Sequence, residues 1–176
     1  MCSAYSAFSA VNATMKPAPS LDMSAVIAAP AARVMQAFFD PDALSSWWQV
    51  AHSVTTPRPL GPYAIEWRPT EFRDDILGRL GGVFRGTIVQ CQPGQGFFVA
   101  DAFWLPPDGE AIGPMALEVK LQTESSGGTR VHVTQTGFEE SARWRRYYEV
   151  AELGWTRALA SLKVLLERQG VEASRR

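Results

Sequence analysis

Residues 115–169 read MALEVKLQTESSGGTRVHVTQTGFEESARWRRYYEVAELGWTRALASLKVLLERQ, and the spacing of their apolar residues changes once along the way. From 115 to 123 the spacing alternates. Leu117, Val119 and Leu121 share one side, and Glu118, Lys120 and Gln122 the other. This is the pattern of an antiparallel strand with one face on a core and the other in water. Ser125-Ser126-Gly127-Gly128 is turn chemistry, closing a hairpin into a second strand over 129–138, where Val131 and Val133 oppose Arg130, His132 and Thr134. From Ser141 to Gln169 the spacing becomes helical. Trp144, Tyr148, Ala151, Trp155, Leu159, Leu162 and Leu166 recur at steps of four and three, which holds them in one stripe. Such a helix is about 43 Å long, with Glu139 and Glu140 at its positive end and Gly170 as the expected stop. Arg146, Glu149, Arg157, Lys163 and Glu167 point away from the stripe. Val150, Leu153 and Val164 interrupt that polar side, as fringe packing or as a weak dimer patch.

Further strands lie upstream. GPYAIEWR (61–68) alternates Tyr63, Ile65 and Trp67 against Ala64, Glu66 and Arg68. VFRGTIVQC (83–91) and FFVADAFW (97–104) flank the turn PGQG (93–96), and Pro106-Pro107-Asp108-Gly109 makes another turn. Residues 69–82, with Pro69, Gly78, Gly81 and Gly82, read as a loop. Nearer the N-terminus, 22–28 predicts a short strand, and Pro30 opens a short helix to Phe39 carrying Val34, Met35 and Phe38 on one side. Asp40-Pro41-Asp42 ends it, and a second short helix, 41–47, runs into Trp47-Trp48. The order of one strand, two short helices, a run of antiparallel strands and one long helix predicts a single α+β domain over 21–170. In this helix-grip arrangement a curved antiparallel sheet wraps the long C-terminal helix. Residues 1–20 read as a flexible tail, 171–176 as a disordered end, and Met1, Met15 and Met23 are all candidate starts.

The chain has 176 residues, of which 46% are apolar, and a net charge of -1. It has no concentrated basic field for nucleic acid or anionic membranes and no stretch of roughly 20 apolar residues to span a bilayer. Cys2 and Cys91 form neither a disulfide framework nor a metal cluster, so a cytoplasmic location is expected. The N-terminal segment lacks the basic region of a signal peptide.

APAARVMQAFFDPDALSSWW (29–48), GTRVHVTQTGF (128–138) and GWTRALASLKVLLE (154–167) stand in an order that resembles the Hsp90-ATPase-activator-like branch of the START / Bet v 1-like (SRPBCC) superfamily. The resemblance covers roughly 21–170. It implies the helix-grip fold and an internal cavity, in a superfamily that includes lipid and sterol carriers, plant hormone receptors, polyketide cyclases and co-chaperone domains. The position before Thr136-Gly137-Phe138, often His in similar chains, is Gln135 here. Single-domain relatives lack the separate chaperone-binding domain of the eukaryotic activator.

Catalytic constellations are sparse. His52, beside Trp47-Trp48 in a loop, and His132, on the polar side of a strand, read as surface or rim residues, and no spacing suits a metal. The glycines of 81–86 and 93–96 open no helix and read as turns, not phosphate loops. In 144–148, Trp144 and Tyr148 face the core while Arg145 and Arg146 face outward, unlike a nucleic-acid patch. Glu66, Arg85 and Asp101 lie on neighbouring strands; they either orient a ligand's polar end or pair on the solvent face. The rings of Trp47, Trp48, Trp67, Phe84, Phe98, Trp104, Tyr148 and Trp155, with Arg85 and Leu159, are expected to bind a ligand, and Gly154 beside Trp155 suggests a gap at mid-helix. The expected mouth lies between the short helices 30–47 and the loop 105–114.

The favoured reading is a carrier or sensor, monomer or weak homodimer, that takes a small hydrophobic or aromatic molecule without a cofactor. One alternative is a polyketide cyclase- or hydrolase-like enzyme using Glu66, Asp101 or Tyr148 as acid/base. Another is a chaperone-associated or stress-response interaction protein.

Overall fold

The computed structural model describes residues 19–125 and 127–173, the last two by their backbone alone. The expected tail over 1–18 and the end over 174–176 lie outside the described residues. In chain order the elements are β1 (Leu21–Ile27), α1 (Ala31–Ala37), α2 (Pro41–Trp48), β2 (His52–Thr55), β3 (Gly61–Trp67), β4 (Arg73–Asp74), β5 (Gly78–Arg79), β6 (Gly82–Gln92), β7 (Gly96–Leu105), β8 (Ile112–Thr123), β9 (Thr129–Thr136) and α3 (Ala142–Ala173). Seven strands form one antiparallel sheet in the order β1-β9-β8-β7-β6-β3-β2. The first strand therefore closes against the last, Met23 opposite Val133, while α1 and α2 carry the chain to the far edge.

Local chemistry explains the two short helices. Pro30 precedes α1, where its missing N–H costs nothing. The Asp40 side chain accepts from the Ala43 amide at 2.8 Å and caps α2, with Pro41 in the first turn. Gln49 ends α2 in a left-handed conformation.

Bulges bend the sheet. Pairing of β6 with β7 shifts register between Arg85 and Thr87 and again between Ile88 and Gln90, and β7–β8 pairing shifts between Val99 and Ala102. Gly86 permits the bend, because a Cβ there would lie 2.6 Å from Val99 Cγ1. The concave face receives α3, whose Trp144, Tyr147, Trp155, Ala158, Leu159, Leu162 and Leu166 are buried.

Four sequence expectations change. His52 is not in a loop but opens β2, paired with Glu66; a four-residue strand whose only large apolar side chain, Val54, is exposed carries too little pattern to read. Residues 69–82 contain the β4–β5 hairpin, held by side chains instead of apolar alternation. Helix α3 passes through Gly170 to Ala173, with its last turns tied down by Ala28 N donating to Glu167 and Arg33 donating to Gln169. Finally, Tyr147 is the buried tyrosine of α3, while Tyr148 is half-buried. Relative to Trp144 the two lie about 60° to one side and about 40° to the other, so both fit the stripe. What stands opposite decides: Tyr147 meets Trp104 and Gln135, whereas Tyr148 meets Phe138 and the Ser20 carbonyl.

Candidate functional site

Helix α3 stands off the middle of the sheet and leaves a pocket of about 610 Å³, within the size range of small-molecule sites. Phe84, Trp104, Leu117 and Gln135, one from each of four adjacent strands, form its floor. Trp47, Trp48 and Gln49 close one end, and Tyr147, Val150, Ala151, Gly154, Trp155 and Ala158 make the helical wall. The lip is formed by Trp67, Arg68, Thr70, Leu80 and Gly81, with Arg157 and Ser161 on the helix side. The mouth thus lies between the end of α2, the 67–81 segment and α3. Neither α1 nor the loop 105–114 contributes, contrary to expectation.

The rings form a connected lining. Trp47 stacks on Trp48 at 4.9 Å, Trp48 touches Trp155 at 4.4 Å and Trp67 at 5.3 Å, and Trp104 stacks on Tyr147 at 5.3 Å. Four of their five indole N–H groups are already used. Trp47 donates to Ala37 O, Trp67 to Trp48 O, Trp104 to Gly81 O and Trp155 to Gln135 Oε1, while Trp48 offers its faces to three other indoles. These walls therefore meet a guest mainly as apolar ring surface.

The inner polar group is Gln135, 2% exposed. An indole N–H only donates, so the Gln135 oxygen must face Trp155 at 3.3 Å and its amide nitrogen must face Tyr147 Oη at 3.1 Å and Met115 Sδ at 3.1 Å. Tyr147 Oη is thereby an acceptor, and its own hydrogen has no acceptor among the described residues. Burial pushes the Tyr147 pKa up to about 12, against the opposing bond to Gln135, so the phenol stays neutral and remains a donor.

The lip is built by side chains. Buried Asp74 accepts from the Ile76 and Leu77 amides at 3.0 Å and from Arg146 Nε of α3 at 2.7 Å. Burial raises its pKa, but these bonds and the Arg146 charge outweigh that and hold it below the ordinary carboxylate value. Asp108 takes Arg73 and Arg79 at 3.0 Å, tying the hairpin to the β7–β8 loop.

Of the residues singled out from sequence, Trp47, Trp48, Trp67, Phe84, Trp104 and Trp155 line the pocket. Leu159 is buried but not in its wall. Arg85 is exposed because Phe84 takes the inward side of β6. Phe98 is displaced by a change of parity. Phe97 and Val99 face inward before the β7 bulge and Ala102 and Trp104 after it, with Asp101 at φ 51 absorbing the extra residue. A strand read without the bulge puts Phe98 and Trp104 on one side. Asp101 is exposed and Glu66 half-buried opposite His52 and Val83, and no ion pair joins either to Arg85 among the described residues. Tyr148 faces away, so none of the three acid/base candidates reaches the pocket. No aspartate or glutamate lines it, and no group of three His, Cys, Asp or Glu that could hold a metal occurs among the described residues. Sequence reading passed over Tyr147, Arg68 and Arg157 as site residues. Gln135 did leave a signal, being polar at the position where Val131 and Val133 predict an inward apolar residue.

The family model described as Activator of Hsp90 ATPase homolog 1-like protein matches residues 28–167. No curated protein matches the chain in sequence. Among solved structures, a Mesorhizobium loti protein is similar at a TM-score of 0.64 and 19% identity, covering 85% of this chain and 98% of that one. A Chromobacterium violaceum protein gives 0.58 at 25% identity over 84% and 96%. An Aha1 dimer from Colwellia psychrerythraea gives 0.57 at 19% identity over 85% and 96%. No helix of the described residues is long and apolar enough to cross a membrane.

Proposed function

This chain belongs to the Activator of Hsp90 ATPase homolog 1-like family, and from that membership and the walls of its pocket we propose that it binds a small hydrophobic or aromatic molecule between α3 and the sheet. One observation carries the reading: a pocket of about 610 Å³ walled by indole rings whose N–H groups are largely spent on the protein itself. Burying apolar area there supplies affinity at about 25 cal/mol per Å² before association costs. The neutral Tyr147 hydroxyl, kept in place by Gln135, offers one hydrogen bond to an acceptor on the guest. A carrier or sensor role accords with this lining better than acid/base turnover, since no carboxylate borders the pocket.

The test is a thermal-shift panel of fatty acids, flavonoids and polyketide-like aromatics, followed by titration of the best compound against Trp155→Ala. Stabilisation by at least one class, reduced in the variant, is the expected result. A panel in which nothing stabilises the protein at saturating concentration sinks the proposal.

A further inference from the structure

The charges around the mouth are of one sign. Arg68 and Arg157 both border the pocket, both are exposed, and neither has a hydrogen-bond or ion-pair partner among the described residues. Their neighbours differ: Arg73 and Arg79 are committed to Asp108, and Arg146 to Asp74 and Glu149. With no acidic residue in the lining, the mouth carries two uncompensated positive charges in a protein whose net charge is -1. Ser161, one turn along from Arg157, adds a hydroxyl, while that of Thr70 is spent on Phe72 O and the Leu80 amide and the walls farther in offer mostly ring faces.

We infer that the pocket selects guests that carry an anionic head group, a carboxylate being the simplest, with Arg68 and Arg157 holding that group at the mouth while the apolar body lies among the tryptophans. This rests on the proposed function above and names the class of molecule it takes. A guanidinium presents a planar fork of donors matched to carboxylate oxygens, and a charge-assisted bond is about twice as strong as a neutral one. Because both arginines are exposed, the preference weakens with salt.

The probes are 2-naphthoate and 2-naphthamide, which share size and ring system and differ in charge. Each is titrated by tryptophan fluorescence into wild type, Arg68→Gln, Arg157→Gln and the double variant, with circular dichroism to verify that each is folded. The wild type is expected to favour the acid by about tenfold, the scale of one charge-assisted contact at a partly exposed site. The double variant should bring the ratio to within about twofold, as should high salt. Equal affinity of the wild type for both probes overturns the inference while leaving the hydrophobic pocket standing. A tenfold ratio that survives in the double variant overturns it too. If neither probe binds the wild type, this inference falls, while the pocket reading stands or falls by its own panel.

Discussion

At Gln135 one amide serves three neighbours: it accepts from Trp155 and donates to Tyr147 and Met115, all in a site 2% exposed. Replacing it by leucine keeps the volume but leaves the Trp155 N–H without its acceptor in the interior. Such a loss costs about 1–3 kcal/mol, so Gln135→Leu should lower the urea midpoint of unfolding with little change in slope. An unchanged midpoint contradicts this account. A residue-by-residue reading of β9 could see that Gln135 is out of pattern. It could not see why, because the partners come from β8, 20 residues back, and from α3, 12 and 20 residues on.

At the scale of elements, the lip of the pocket depends on one buried carboxylate. Asp74 has its pKa lowered in the folded state, so its contribution is complete above the unfolded value of about 3.9 and is lost as pH falls through the folded one. Asp74→Asn turns an amide donor toward Arg146 and should cost about 1–2 kcal/mol at pH 7. That deficit should begin to close as pH drops below about 3.9, where Asp74 of the unfolded chain takes up a proton, and should vanish only below the lowered folded pKa. Urea denaturation at pH 7 and pH 3 checks this, and an equal deficit at both contradicts it. Helix α3 offers a second test. Gly154 borders the pocket, and a Cβ added there meets nothing within 4 Å. Gly154→Ala should therefore stabilise the helix by up to about 1 kcal/mol, whereas Gly154→Leu should narrow the pocket and weaken any ligand found by the panel. Thermal melts and titrations measure the two effects. The lip itself was illegible in sequence because two-residue strands have no periodicity, and Asp74, Asp108 and their arginines are ordinary surface residues until the chain is folded.

For the molecule as a whole, binding and stability are one equilibrium. A ligand present at a hundred times its Kd stabilises the folded state by about 2.7 kcal/mol, which for a chain of this length raises Tm by about 5–10 °C. The shift should grow with the logarithm of ligand concentration, as single-site linkage requires. A shift that saturates near zero means that the compound does not bind the folded state in preference to the unfolded chain. The sheet order, with β1 beside β9, joins the two ends of the domain, so loss of β1 by truncation before residue 28 would expose the β9 edge.

The sequence by itself determined the periods of the strands and of α3, the break between the short helices at Asp40-Pro41 and the family. The periods and the break are written in near neighbours, since alternation, helical spacing and the effect of proline on its predecessor depend on residues within a few positions of one another. Tertiary structure alone decided which rings border open space. One residue absorbed at the Asp101 bulge turned Phe98 out and Trp104 in, and the surface facing α3 chose Tyr147 over Tyr148. Both outcomes follow from what lies across a gap, which no local pattern encodes.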